Sequence, residues 1–294
     1  MALRLGLVGR GRWGQNIERT LLSLPDVSVL HIARGQSPPA GLDGVLIATQ
    51  SATHAAVALP YIKAGIATFI EKPMATSVSD AEQIRDAARL SGAPVFVGHI
   101  FLFHAAFLAA LELLPTLGTV RYLLCEGMNE NPRTDSSVLW DWLPHDLSMA
   151  RKIFGRNPDS VTAWSLSGDA RSDAAVSKFS FGEAPMISTM SWLSPIRRKR
   201  TIISCESATL VFDDKAHRQL TLYDKKGDRT YPAYSIELPL KRELKAFVRM
   251  VRSAEPGSSH IETGVSIVRA IAAAEDSIKL GRPVAMSPHT RDQV

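Results

Sequence analysis

The sequence has 294 residues, 45% hydrophobic and 21% charged, a composition typical of a globular protein with one large or two moderate domains. Its 34 Lys and Arg residues exceed its 29 Asp and Glu residues, and the net charge of +5 is compatible with an anionic partner such as a nucleotide, a phosphosugar or nucleic acid. The most apolar stretch, residues 98–114, contains His99, His104 and Glu112, which makes it too polar to span a membrane.

The first 120 residues alternate strand-like and helix-like segments, an order typical of a parallel α/β fold. Ser79, with Glu82 three residues later, has the spacing of a capping box at the start of a helix. The predicted strands cover 3–9, 27–33, 43–49, 66–70 and 93–100, and the predicted helices cover 14–24, 53–64 and 79–90.

From about residue 119, strand-like segments follow one another with only one helix expected among them, which indicates an antiparallel sheet. These segments are 119–128, 160–168, 175–181, 185–193, 201–213 and 219–225. We expect helices at 146–153, around Leu244 to Val251, and at 263–280. The fold class is therefore α/β plus α+β. A dinucleotide-binding Rossmann-type domain is predicted over 1–118, and a substrate-binding and oligomerisation domain over 119–294.

The segment GRGRWG, residues 9–14, follows the first predicted strand and opens the first predicted helix. Gly9 permits a tight turn, Gly11 lets a pyrophosphate approach the backbone, and Gly14 lets helix and strand pack closely. The helix N-terminus offers free N–H groups and a positive dipole to phosphates. We predict a cofactor loop that includes Arg12 and Trp13, with a purely structural glycine turn as the alternative.

Arg34 stands where NAD-binding domains usually carry an acid for the ribose 2′-hydroxyl. An arginine suits a 2′-phosphate, so the sequence modestly favours NADP over NAD; the alternative is a solvated strand end. Only residues 34–43 join the second predicted strand to the third, fewer than a helical crossover needs. We expect a bare loop that passes one neighbouring strand and an abbreviated adenosine side of the cofactor pocket.

The fourth predicted strand ends in Glu71, Lys72 and Pro73. Charges at a strand end often only meet solvent, and proline often only ends an element. In open α/β sheets, however, ligands bind at the carboxyl ends of the strands. Thr49 and Gln50, at the tip of the third strand, are expected at the same edge. We predict Thr49 and Gln50 as neighbours of the cofactor, and Glu71, Lys72 and Pro73 are candidates for the same role, with a plain strand end as the alternative.

Six segments resemble the Gfo/Idh/MocA oxidoreductases in order and approximate spacing: GRGRWG, IATQSATHAAVALPYIKAG, FIEKPMATS, VGHIFLFHAAF, LWDWLPHD and SWLSPIRRKR. The similarity covers nearly the whole chain, and Glu-Lys-Pro and Asp-x-x-x-His are its most specific parts. It implies a Rossmann domain followed by an open, mostly antiparallel sheet that forms a homodimer or homotetramer interface. It also implies hydride transfer between NAD(P) and a sugar, sugar nucleotide, inositol or related carbonyl compound, with sugar-nucleotide and cell-surface sugar members closest.

The resemblance places Lys72 beside the nicotinamide and the reacting hydroxyl, makes His145 the proton-transfer residue with Asp141 as its partner, and puts His54 near the cofactor. The sequence departs from the family pattern at three points. It lacks most of the helix–strand–helix segment between the second and fourth strands, and it has no acid after the second strand. Ser148 stands where many members have a second aspartate. The first two departures concern the cofactor, and the third concerns substrate contacts.

These roles fit the chemistry of alcohol oxidation. His145 suits a base because the unperturbed pKa of histidine lies near neutrality, and Asp141 would orient its ring. Lys72 would stabilise the developing alkoxide by charge and hydrogen bonding. Without the resemblance, a histidine at a helix start with no catalytic task is the simpler interpretation of His145.

Other polar and aromatic residues receive weaker interpretations. Asp146 is interpreted as a helix cap or first-turn charge, and His99 and His104 as pocket-lining or structural residues. Three of the five tryptophans are expected either to stack on a sugar or to pack in the core: Trp140, Trp142 and Trp192. No cluster has the spacing of metal ligands, so no metal is predicted.

Two other functions compete with a dehydrogenase. A non-catalytic member that senses nucleotide or sugar would suit the shortened adenosine side, but it would not need Lys72, Asp141 and His145 together. Nucleic-acid binding through the run 197–200 is disfavoured, because such short basic runs are usually solvated faces. We expect a cytoplasmic protein with free thiols at its two cysteines, because the N-terminus lacks a secretory pattern.

Overall fold

The computed structural model of the protein describes residues 2–133, 136–168, 172–253 and 257–286. These residues form two units, each containing one sheet. The first unit comprises the described residues up to Phe103 together with Glu237–Arg269, and the second comprises the others.

Five parallel strands form the sheet of the first unit. They are β1 (Leu3–Val8), β2 (Val27–Ile32), β3 (Gly44–Ile47), β4 (Ala67–Glu71) and β5 (Val95–Gly98). Their order in the sheet is β2-β1-β3-β4-β5. Every residue of β3, β4 and β5 is buried, which explains why these segments are almost continuously apolar.

Nine strands form the sheet of the second unit, in the order β13-β12-β11-β10-β6-β9-β8-β7-β14. Neighbouring strands are antiparallel except for β6 and β9, so the predicted mostly antiparallel sheet is confirmed. The strands are β6 (Val120–Glu130), β7 (Ser160–Ser165), β8 (Ala174–Phe181), β9 (Ala184–Ser191), β10 (Leu193–Cys205), β11 (Ala208–Asp213), β12 (Leu220–Asp224), β13 (Arg229–Thr230) and β14 (Val284–Ala285).

The described part of the chain contains seven α-helices. They are α1 (Arg12–Leu21), α2 (His54–Lys63), α3 (Val78–Ser91), α4 (Ala105–Leu113), α5 (Val138–Phe154), α6 (Pro239–Ser253) and α7 (Ser258–Leu280). In the first unit, α6 packs against α1 and against the 3-10 turn Ile100–Phe103. In the second unit, α4 and α5 cover the face of the sheet to which Phe212 and Gly127 belong.

The connection from β2 to β3 is the bare loop that the sequence predicts. Residues 33–43 contain no helix or strand, and they carry the chain past β1, which lies between β2 and β3 in the sheet. The Rossmann-type sheet is therefore shortened after its second strand, as expected.

The division into units differs from the predicted boundary between residues 118 and 119. The second unit begins at His104, and Glu237–Arg269 belongs to the first unit. The reason is packing at long range: Leu244 and Phe247 of α6 belong to the same core as Leu5 and Phe69. Helical periodicity identified α6 but does not indicate which sheet it covers.

Three predicted helix starts are wrong, and one of them is that of α7, which begins at Ser258 and not at about residue 263. The α3 helix is capped by Ser77, whose Oγ accepts from the Asp80 N–H at 3.1 Å, and not by Ser79. Both serines have an acid three residues later, so the spacing did not distinguish them. The α5 helix begins at Val138, eight residues before the predicted start, and runs through Pro144. Proline removes one backbone hydrogen bond from a helix, and a buried helix can tolerate that loss when packing holds it in place.

Candidate functional site

The glycine loop between β1 and α1 has the shape that a phosphate site needs. Gly9 has φ +102°, and a Cβ there would lie 2.4 Å from the Ala48 oxygen. A Cβ on Gly14 would lie 2.0 Å from the Gly9 oxygen, whereas a Cβ on Gly11 would meet nothing within 4 Å. Two glycines are thus required by backbone contacts, and the third borders open space beside the unpaired N–H groups at the start of α1.

A hydrogen bond joins this loop to the tip of β4. The indole Nε1 of Trp13 donates to Glu71 Oε1 at 2.5 Å, and the other carboxyl oxygen accepts from the Lys72 N–H at 3.1 Å. Burial raises the pKa of Glu71 to about 7, against the effects of the Trp13 bond and the Lys72 charge. Lys72 is half-buried, and its peptide bond to Pro73 is cis. Sequence reasoning predicted these residues near the cofactor but missed the Trp13–Glu71 link.

His54 lies between the tips of β3 and β4. Its Nδ1 is 2.8 Å from the Pro73 oxygen, and its Nε2 is 3.1 Å from the Thr49 oxygen. The Thr53 hydroxyl closes the same turn by donating to Thr49 Oγ1 at 2.9 Å. Gln50, by contrast, is exposed. Three of the residues predicted near the cofactor, Thr49, His54 and Pro73, therefore lie together in the first unit.

Arg34 lines a cavity of about 390 Å³ in the first unit. The loop after β2 forms one side with Arg34, Ser37 and Pro38, and α2 forms another with Val57 and Tyr61. The shortened connection thus still encloses a cavity at the end of β1, on the side where the adenosine half of a dinucleotide is expected.

Glu243 is a buried acid that sequence reasoning missed. Phe247, one turn later on α6, packs edge-on against Phe69 at 5.6 Å between ring centroids, and Glu71 follows Phe69 by two residues on the same face of β4. Glu243 is fully buried, and neither carboxyl oxygen has a hydrogen-bond partner among the described residues. Burial, and then the charge of Glu71, raise the pKa of Glu243 well above its usual value.

The raised pKa of Glu243 predicts that this residue destabilises the folded protein as pH rises. A carboxyl whose pKa is raised by folding destabilises the folded state as pH rises above its unfolded-state pKa, and the loss is complete above its folded-state pKa. We expect Glu243→Gln to increase the free energy of unfolding relative to wild type, by an amount that grows as pH rises above about 4.5. Thermal unfolding across pH measures this. Glu262→Gln, at an exposed acid, is the control, and a Glu243→Gln difference that stays flat with pH would contradict the prediction.

In the second unit, α5 carries Asp141 and His145 four residues apart, on one face of the helix. Asp141 Oδ1 lies 3.0 Å from the Arg133 guanidinium, and Oδ2 accepts from Trp192 Nε1 at 3.2 Å. Both Asp141 and His145 are 8% exposed. The described bonds therefore fix the aspartate, and sequence reasoning did not identify Arg133 and Trp192 as its partners.

The remaining residues of interest in this unit have structural partners. Trp140 is buried and donates to Glu275 at 2.9 Å, and Trp192 is fully buried, so both pack in the core. The Ser148 hydroxyl donates to the His145 carbonyl at 2.9 Å. His104 caps α4 and lies 3.4 Å from Asp214.

Asp146 and Lys199 form a buried ion pair between α5 and β10. Asp146 is 0% and Lys199 1% exposed, and Ser188 donates to the second Asp146 oxygen at 2.5 Å. Asp146 is thus not a cap or first-turn charge, because α5 begins eight residues earlier. The run 197–200 is likewise not wholly a solvated face: strand alternation turns Lys199 inward, while Arg200 on the other face pairs with Glu126.

Three further observations bear on the predictions. Cys125 and Cys205 are buried free thiols. Across the described residues, no group of three or more His, Cys, Asp or Glu side chains could hold a metal ion. No described helix is long and apolar enough to cross a membrane.

Comparison with known proteins identifies the family. The model of the Gfo/Idh/MocA oxidoreductase family, an NAD-binding Rossmann fold, matches residues 35–99. Myo-inositol 2-dehydrogenase of Thermotoga maritima is 23% identical over 96% of this chain and 98% of its own length. A crystal structure from Magnetospirillum magnetotacticum MS-1, of a protein provisionally classed as an oxidoreductase, is 30% identical over 93% of this chain and 99% of that one, with a TM-score of 0.82. The chain belongs to the Gfo/Idh/MocA family.

The fold of the family is shared by UDP-N-acetylglucosamine 3-dehydrogenase from Acidithiobacillus ferrooxidans. That structure has a TM-score of 0.85 at 20% identity and covers 95% of this chain and 99% of its own. The family resemblance read from six sequence segments is thus confirmed, as is the two-sheet fold. As a Gfo/Idh/MocA member, the protein is an oxidoreductase with an NAD-binding Rossmann domain.

Proposed function

We propose that this protein is an NAD(P)-dependent dehydrogenase that oxidises a secondary alcohol of a sugar, sugar nucleotide or polyol, or reduces the matching ketone. The observation that carries the proposal is the bond between Trp13 of the phosphate loop and Glu71, which precedes Lys72 at the tip of β4. It ties the predicted cofactor loop to the predicted catalytic lysine within one sheet edge. A sensor that only bound nucleotide would have no need of a lysine there.

The proposed chemistry uses three side chains of this chain. Bound NAD(P)⁺ supplies the hydride acceptor for the carbon–hydrogen bond that breaks. His145 takes the hydroxyl proton as the carbonyl forms. The ammonium of Lys72 stabilises the negative charge that develops on the substrate oxygen. Asp141, held by Arg133 and Trp192, is the orienting partner of His145.

The cofactor loop fits this proposal on geometric grounds. Open space lies beside Gly11, where a side chain would otherwise stand, and Arg12 begins the helix whose N–H groups would meet the phosphates. Thr49, at the tip of β3, would be a neighbour of the nicotinamide ribose.

The substrate class follows from two of the similar proteins. One is a myo-inositol dehydrogenase and the other acts on UDP-N-acetylglucosamine. Both molecules offer secondary hydroxyls on a six-membered ring. The test is to incubate the purified protein with NAD⁺ or NADP⁺ and each of these compounds, and to follow the absorbance of the reduced nicotinamide. Reduction with either compound supports the proposal, and its absence with both counts against the proposed substrate class.

Arg34 supports a preference for NADP. Its side chain lines the cavity at the end of β1, where a 2′-phosphate would need a cation. We expect NADPH to bind more tightly than NADH in parallel fluorescence titrations, and Arg34→Gln to remove most of the difference, about tenfold or more. Arg19→Gln, at an exposed arginine in the last turn of α1, is the control. Tighter binding of NADH by the wild type would contradict the role of Arg34.

Assembly of two or four copies through the second sheet remains a prediction. The face away from α4 and α5 carries half-buried apolar residues such as Leu124, Ile187 and Ile202 on its central strands. A second copy of the chain would cover them. Light scattering of the purified protein tests this, and a monomer would contradict it.

A further inference from the structure

His54 links two neighbouring strand tips through its ring. The Nδ1 atom is 2.8 Å from the carbonyl oxygen of Pro73, which follows β4, and the Nε2 atom is 3.1 Å from the carbonyl oxygen of Thr49, which follows β3. In this way one side chain spans the edge of the sheet at which the cofactor and Lys72 are expected.

The ring is not available to a ligand. It is 1% exposed, and each nitrogen already faces a protein carbonyl. Burial lowers the pKa of His54 and outweighs the bonds to the Pro73 and Thr49 carbonyls, which raise it, so the ring is neutral near pH 7. A neutral imidazole has one N–H to donate. We place that proton on Nδ1, the nitrogen nearer to its carbonyl, so that it bonds the Pro73 oxygen.

We propose that His54 is a positioning residue, whose bond to the Pro73 carbonyl fixes the backbone that carries Lys72. This differs from the direct cofactor contact that the sequence suggested for the same residue. What Lys72 does for the reaction rests on the proposed function, but the link between His54 and the position of Lys72 does not.

Three variants separate the two ring nitrogens. His54→Phe keeps a ring but removes both nitrogens. His54→Asn places an amide N–H near the position of Nδ1, and His54→Gln places one near the position of Nε2. His31→Phe is the matched control, because His31 is an exposed histidine on β2 that pairs with Glu18 at 2.5 Å.

The first readout does not need turnover. Reductive methylation with carbon-13 gives each lysine an NMR resonance, and that of Lys72 is assigned by its loss in Lys72→Arg. We expect His54→Phe to move the Lys72 resonance, and His54→Asn and His31→Phe to leave it in place. An unmoved resonance in a folded His54→Phe would overturn the proposal. If the phenylalanine variant does not fold, the Asn and Gln variants decide. A wild-type Lys72 resonance in His54→Gln but not in His54→Asn would overturn the assignment of the hydrogen bond to the Pro73 carbonyl.

The second readout separates positioning from binding. With myo-inositol and NAD⁺ we expect His54→Phe to lower kcat about 10- to 100-fold, and the Kd for NADH to stay within about threefold of wild type. A loss of NADH affinity as large as the loss of kcat would overturn the proposal and make His54 a cofactor contact. If the wild type is inactive on every substrate, that result counts against the proposed function only. The NMR experiment still tests the link between His54 and Lys72, because it does not need turnover.

Discussion

Lys72→Met is expected to lower turnover about 10³-fold, equivalent to roughly 4 kcal/mol of transition-state stabilisation. Methionine keeps much of the length of the side chain but removes the charge and the N–H donors that would meet the developing alkoxide. The loss should appear in kcat, because a contact made mainly in the transition state contributes little to substrate binding. Steady-state kinetics on the substrate found by the dehydrogenase assay measures it.

Two controls make the result specific. Lys63→Met makes the same change at an exposed lysine at the end of α2 and should leave kcat unchanged. The Kd of Lys72→Met for NADH should remain close to that of wild type, and its thermal unfolding should show a folded protein. If a folded Lys72→Met kept full turnover, the proposed mechanism would be wrong, and the nucleotide-sensing alternative would gain support.

Much of the first unit could be predicted because its signals are local. GRGRWG lies directly between a strand and a helix, and the short link after β2 permits only a bare loop past β1. Both features follow from chain length and glycine chemistry. The family resemblance added Lys72 and His145, which their local sequence alone would not have distinguished from a solvated strand end and a helix-start histidine.

The side-chain links could not be predicted because their partners are far apart in sequence. Trp13 and Glu71 are 58 residues apart, and Asp141 and Trp192 are 51 apart. Glu243 looked like one charge in a charged helix, since nothing near it in sequence shows that α6 turns this residue toward the core. Such contacts depend on which faces pack together, and periodicity identifies a face without its partner.

Lys199 illustrates the same limit, and it supports the prediction with the largest expected effect on stability. The run 197–200 contains four cations, and period-two alternation along β10 places neighbours on opposite faces. Sequence alone does not show that the inward face holds a carboxylate for one of them. The pair with Asp146 forms because α5 packs with that buried residue against β10.

Lys199→Met is expected to destabilise the protein by about 3–5 kcal/mol, because it leaves the Asp146 carboxylate buried without its counter-charge. Ser188 alone cannot replace a full positive charge. Arg200→Met, in the same strand, removes a cation that is 34% exposed and pairs with Glu126 at 2.6 Å. That change should cost at most about 1 kcal/mol. Chemical denaturation of the two variants at one protein concentration compares them.

The double variant Asp146→Leu with Lys199→Met completes the test. Removing both charges avoids the cost of an unpaired buried carboxylate, so this variant should be much more stable than Lys199→Met and close to wild type. Such a recovery would show that the penalty of the single change is the desolvated charge and not lost packing of the lysine stem. If the double variant were as unstable as Lys199→Met, packing around β10 would be the cause, and the ion pair would contribute little to holding α5 on the sheet.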